Sequence, residues 1–146
     1  MSTKSNSTAR QSMAGNRLRK HSDFQSAYAA ARKRQSASMS WFLAPQATEE
    51  GVKGYAAPRV GLTAGKVLGK AHERNRIKRR MREALRRHIG LMPAGYDLIL
   101  HPRRLVLSME FAKLEAEVMR ILEQAAAEAA RATAQIEGAP RAARLP

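Results

Sequence analysis

Residues 72–88, HERNRIKRRMREALRRH, constrain the fold more than any other stretch. Placed on a helical wheel with Ile77 at the origin, Ile77, Met81, Ala84, Leu85 and His88 fall within about 100° of arc, a stripe that must face a core. Arg74, Asn75, Lys78, Arg79, Arg82 and Arg86 fill the neighbouring arc from about 60° to 200°, and no carboxylate enters it. Glu73 and Glu83 lie on the remaining side with Arg76, Arg80 and Arg87, where pairing three or four residues apart offsets the charge. A helix shaped for solubility alone would scatter its acids among its bases, because like charges four apart destabilise it. Arginine also outnumbers lysine here, which suits planar, bidentate contact with phosphate. A basic stretch is usually only a solvated face, but segregation of sign and the arginine bias together read as a surface for a polyanion.

The whole chain has the same leaning. Its 27 Lys and Arg against 12 Asp and Glu give a formal net charge of +15, and nucleic acid is the commonest polyanion a cell offers. A length of 146 residues fits one domain with tails. No apolar run nears the roughly 20 residues of a spanning helix, so no membrane partner is expected. Cysteine is absent, which removes disulfides, thiolate zinc sites and thiol nucleophiles. Residues 1–16 are Ser/Thr-rich with no acid before Asp23 and read as a disordered tail, lacking the amphipathic Arg-rich helix of a transit peptide. Residues 137–146, EGAPRAARLP, are also tail-like. The domain itself is expected over 17–124, with an Ala-rich helical extension and tail over 125–146.

Between the tails, residues 22–33 predict a helix with Ser22 as N-cap, Asp23 in the first turn, and Phe24 and Tyr28 on one face. Residues 36–45 alternate, Met39, Trp41 and Leu43 pointing one way and Ser38, Ser40 and Phe42 the other. A loop follows over 45–54, then a second alternation with Val60, Leu62 and Ala64 opposite Arg59, Gly61 and Thr63. The basic helix stops near Gly90, residues 96–102 form an apolar strand, and a long helix capped by Ser108 turns Phe111, Leu114, Val118, Ile121 and Leu122 to the core. Past Gln124 this helix lacks a large apolar face and should protrude. The order is helix, strand, strand, basic helix, strand, helix, with a third strand if 52–66 divides: an α+β sandwich.

The strand and the segment GKVLGK before the basic helix disfavour a helix-turn-helix, and no leucine heptads continue past residue 90 to make a basic zipper, so DNA is not the expected partner. Single-stranded RNA is held by aromatic faces beside a cationic groove, and Phe24, Tyr28 and Phe42 could line one cleft. Spacing alone equally permits all three to be core residues, and by itself favours that. Asp23, Glu73, Glu83 and Asp97 are scattered, without the paired acids of a two-metal nuclease, and His21, His72, His88 and His101 lack metal-ligand spacing. No catalytic residue and no metal ligand is expected in the protein.

The segment ERNRIKRRMREAL resembles the Arg-Asn-Arg motif, R-N-x-x-K-R-x-x-R-E, of the bacterial ribonuclease P protein component, and LRKHSDFQSAYAAARKR and RVGLTAGKVLGKA resemble that family's flanking segments. The resemblance covers roughly residues 17–124. It implies a two-layer α/β sandwich in the order α-β-β-β-α-β-α, like the second domain of ribosomal protein S5, with a left-handed βαβ crossover where general topology would give a right-handed one. It implies an endoribonuclease, as the protein subunit of a cytoplasmic bacterial ribonucleoprotein that removes the 5′ leader of precursor tRNA. The active site and its Mg²⁺ would sit mainly on the RNA subunit. By position, Lys66, Lys70, Arg74, Asn75, Arg76, Lys78, Arg79, Arg82 and Arg86 would bind the RNA subunit, and Phe24, Tyr28 and Phe42 the leader. Arg76, on the mixed side of the wheel, would act through a local contact to backbone or to Glu73. The chain departs from the family at Gly65, usually Ser, at Val67, usually a second lysine, and at Ala31, often Gly. The alternative reading is a ribosomal or ribosome-assembly protein, which would share charge and fold but need no leader cleft.

Overall fold

The computed structural model describes residues 16–46 and 57–144; the Ser/Thr-rich start and most of the loop expected at 45–54 lie outside the described residues. The elements are α1 (His21–Ala30), β1 (Lys33–Gln35), β2 (Met39–Pro45), β3 (Arg59–Leu62), α2 (Ala71–His88), β4 (Tyr96–Pro102), the single turn α3 (Leu105–Ser108) and α4 (Phe111–Arg144). One sheet runs in the order β1-β2-β4-β3. β2 pairs antiparallel with β1 and β4, whereas β3 runs parallel to β4, so α2 is the crossover between two parallel neighbours. The chain is α+β, with the expected helix and strand order plus one extra helical turn.

Among the described residues, the third strand comes from outside the 52–66 segment. It is β1, whose three residues, Lys, Arg and Gln, carry no hydrophobic alternation to betray it. A short charged strand suits an edge, where lysine discourages pairing with another chain.

Alternation along β2 sorts its residues as expected. Met39 and Trp41 join Val60, Leu98 and Leu100 under the helices, where α2 supplies Ile77, Met81, Ala84 and Leu85 and α4 supplies Leu114, Val118, Ile121 and Leu122. Ala44 and Ile99 face the other way and meet Leu18 and Ala27 of the N-terminal segment and α1. The sheet therefore carries its two long helices on one face and α1 across part of the opposite one. His88, expected in the core stripe of α2, is instead half-exposed and bonds Glu115 of α4 at 2.8 Å. Pairing lets the imidazole end the stripe at the rim without being buried unsatisfied.

Three boundaries differ from expectation. Ser22 lies inside α1, whose N-cap is Lys20 with no side-chain cap, although Asp23 does sit in the first turn and complements the helix dipole. Ser108 ends α3 rather than opening α4. The break between these helices is held by Arg80, which donates to the carbonyls of Leu107 (3.1 Å) and Met109 and so satisfies the free end of α3. Past Gln124, α4 does not simply protrude: Ala125 and Ala129 are buried, and Glu128 pairs with Arg34 of β1 at 2.6 Å. Small side chains supply no apolar stripe to a sequence pattern, yet they let a helix lie close to the structure beneath it. Where the composition of 137–146 reads as a tail, the backbone stays helical to Arg144.

Candidate nucleic-acid interface

The cationic face begins in the turn before α2. Lys66 and Lys70 are exposed, and Val67 between them is 92% exposed, so an apolar side chain stands out to solvent within the cationic turn. Gly69 closes this turn at φ 128°, a conformation that strains any residue with a Cβ. Arg104 and Glu73 also fill the space that a Cβ would need. Glu73 accepts the Lys70 N–H at 2.9 Å and pairs with Arg104 at 2.7 Å, and Arg104 in turn donates to the Leu68 carbonyl at 2.7 Å. These bonds lower the Glu73 pKa to about 2. A depressed carboxylate stabilises the fold above its unfolded value, and that contribution is lost as pH falls through the folded one. In urea titrations, wild type should therefore lose a contribution between about pH 4.5 and about pH 2 that Glu73→Gln lacks. Parallel acid limbs would show that Glu73 does not hold this turn.

Along α2 the basic residues divide into two groups. Arg80 is spent on backbone carbonyls, Arg86 and Arg87 pair with Glu83, and Arg87 also reaches Glu115 and lies 5.0 Å over the Phe111 ring. Arg74, Arg76, Lys78, Arg79 and Arg82 have no carboxylate partner among the described residues. Arg86 thus leaves the acid-free group in which the wheel placed it, because a guanidinium on a long stem reaches Glu83 one turn back. Arg76 differs the other way. Glu73 is taken by Arg104, and Arg76 stands exposed without the local contact expected of it. Asn75 and Arg79 are also exposed. Arg74 buries its Nε with no acceptor among the described residues, a donor that a phosphate oxygen or water would satisfy. Arg82 lines a cavity of about 50 Å³ with Arg17, Leu18 and Leu62, and burial followed by the nearby Arg17 lowers its pKa.

On the opposite sheet face, Phe24, Tyr28 and Phe42 pack together half-buried. Ring centroids are 6.4 Å apart for Phe24 and Tyr28, and 5.0 Å for Tyr28 and Phe42, the latter edge to face. Phe24 lies directly on the β3 backbone. A Cβ on Gly61 would come within 2.6 Å of its ring, so this close approach requires glycine. The aromatics pack half-buried against the small core around Ala44 and Ile99, between the buried and exposed positions that spacing left open.

The sequence model of the ribonuclease P family matches residues 13–126. The chain belongs to the family of ribonuclease P protein components. It is 37% identical over 111 residues to the Chloroflexus aggregans ribonuclease P protein component, covering 75% of this chain and 77% of that one. To the Thermobifida fusca protein component it is 34% identical over 105 residues, 70% of this chain and 71% of that one. Among solved structures, the ribonuclease P protein from Thermotoga maritima superposes with a TM-score of 0.60 at 26% identity, covering 75% of this chain and 96% of that one. The chain is therefore the protein subunit of an endoribonuclease ribonucleoprotein, an RNA partner follows from the family, and the ribosomal alternative falls.

Two features of the chain escape a sequence reading. Asp23 and Asp97, far apart in the chain, meet at Arg59, which grips Asp97 bidentately at 2.8 and 2.9 Å and reaches Asp23 at 3.1 Å. Those two carboxylates raise the Arg59 pKa, the hydrogen bonds that Arg59 donates to Asp97 being the largest cause. His101 joins the aromatic cluster, its Nε2 lying 2.7 Å from the Tyr28 hydroxyl. Its alternation with Ile99 along β4 could have placed it on that face; nothing in the sequence announced the bond. Among the described residues no helix is long and apolar enough to cross a membrane.

Proposed function

We propose that the chain binds the ribonuclease P RNA through the cationic face of α2 and holds the 5′ leader of precursor tRNA against the aromatics on the other side of the sheet. The carrying observation is the division of charge on α2: the fold uses Arg80, Arg86 and Arg87 and leaves Arg74, Arg76, Lys78, Arg79 and Arg82 unpaired among the described residues. Unpaired arginines on a rigid helix can meet phosphates bidentately without first losing an internal partner. Asn75, Lys66 and Lys70 extend that face, and Arg86 contributes less because of Glu83. Phe24, Tyr28 and Phe42 offer ring faces for unstacked bases, which every base can use whatever its sequence.

Mg²⁺ does not fit the protein's own donors. Asp23 and Asp97 are taken by Arg59 and Glu73 by Arg104, and the described residues gather no group of three His, Asp or Glu able to hold a metal. We place Mg²⁺ on RNA phosphates, and the protein's part is to neutralise and position those phosphates, in the bacterial cytoplasm where precursor tRNA is made.

Reconstitution tests this reading. The purified chain alone should not cleave precursor tRNA, and at low Mg²⁺ it should strongly stimulate cleavage by the ribonuclease P RNA. Phe24→Ala should weaken binding of leader-bearing tRNA by roughly 1–3 kcal/mol and spare mature tRNA. Cleavage by the protein alone, absence of stimulation, or equal losses for both tRNAs would each refute the corresponding part.

A further inference from the structure

Among the described residues, the aromatic cluster on the sheet face that carries α1 holds one group able to change its charge near neutrality. His101 sits on that face of β4, opposite Ser40 of β2. Its ring centroid is 5.7 Å from that of Tyr28 and 5.2 Å from that of Phe42. A neutral imidazole accepting the Tyr28 hydroxyl proton at Nε2 carries its own proton on Nδ1, which has no bonding partner among the described residues. Beside it opens a cavity of about 380 Å³ lined by His101, Ser40, Thr63 and Arg103.

We propose that His101 is a specificity-determining residue of this cleft, bonding single-stranded RNA through Nδ1–H and binding it more tightly when the imidazole takes up a second proton. The inference rests on the cleft being the leader site. The groups around His101 favour it. Tyr28 faces it from α1, Lys33 from β1, Ser40 and Phe42 from β2, and Arg103 from beyond β4. Arg104 also lines the cavity but is paired with Glu73, and Asp97, four residues back on the same strand face, is held by Arg59. No carboxylate among the described residues pairs with the imidazole, and burial followed by Lys33 lowers its pKa in the free protein. An RNA phosphate would be the first anion to reach it, and an imidazolium there would also lie against the Phe42 and Tyr28 rings. Protonation reverses the Tyr28 bond without breaking it, since a phenol oxygen can accept as well as donate.

By linkage, a strand that raises the imidazole pKa by about one unit binds up to about tenfold more tightly below both values than above them. The experiment measures, in the reconstituted holoenzyme, the affinity for precursor tRNA relative to mature tRNA at about pH 8 and about pH 5.5, on either side of an ordinary histidine. The wild-type ratio should rise several-fold on acidification. His101→Gln, whose amide can still bond Tyr28, should lose that rise and should also show a lower ratio at high pH, since the Nδ1–H donor goes together with the titrating charge. An unchanged rise in His101→Gln overturns the proposal. If Phe24→Ala leaves the ratio untouched at both pH values, the leader reading itself fails, a separate outcome. Independently of any variant, proton NMR of His101 in the full chain should give a midpoint below the usual imidazole range that moves up on adding single-stranded oligouridylate. A midpoint that stays put also overturns the proposal.

Discussion

Asp97→Ala should destabilise the fold by roughly 2–4 kcal/mol, read as a lower urea midpoint at unchanged slope. Asp97 is only 3% exposed and its carboxylate is bound bidentately by Arg59, so removing it strands a guanidinium beside the small core. Breaking a buried pair from one side typically costs about 3–5 kcal/mol. The cost is lower here because Arg59 keeps Asp23 at 3.1 Å and part of its side chain reaches solvent. Removing both partners should cost less than the sum of the single changes, since no unpaired charge remains. If Arg59→Met with Asp97→Ala proves additive, the two residues do not act as a pair. The same pair fixes α1, through Asp23, against the sheet that carries Phe42. Asp97→Ala should therefore also loosen the cleft, and leader-bearing tRNA should lose affinity while the RNA subunit does not.

How far such features can be read in the sequence depends on the kind of signal that each one leaves. The α2 stripe was legible because four apolar side chains recur at helical spacing between charges, and all four are buried. β4 was legible end to end, as a short apolar run between a turn and a proline. β1 was not, since its residues pair by backbone bonds and their side chains carry no period. The packed Ala125 and Ala129 left no signal for a similar reason. Glu117 left none either: it is 3% exposed because its carboxylate accepts the Ser38 N–H at 2.9 Å and the Ser38 hydroxyl at 2.7 Å, a bond across 79 positions. A helical wheel counts charges on one helix. It cannot show that Arg80 turns to the backbone of α3, or that Arg104 removes Glu73 from the reach of Arg76. Candidate residues were thus legible as types on a face, and their availability for RNA emerged only from their tertiary partners.

That availability governs the second large effect. Arg79→Ala combined with Arg82→Met should make the salt dependence of binding to the ribonuclease P RNA shallower by about two units, one for each phosphate left without its guanidinium. Methionine is chosen at 82 because the Arg82 stem lines the same cavity as Leu62 and Leu85, and a truncation there would confound poorer packing with the missing charge. Affinity should fall for every RNA that docks on this face, whatever its sequence, because phosphate contacts position without reading bases. Two comparisons isolate the cause. Arg86→Ala should change the slope by less than Arg79→Ala, since its charge is already shared with Glu83. Arg80→Ala should lower the unfolding midpoint and leave the slope alone, since it serves the carbonyls of Leu107 and Met109. If all four arginines shift the slope equally, α2 acts as a diffuse cationic cloud, and the division between fold-bound and free charges has no bearing on RNA binding.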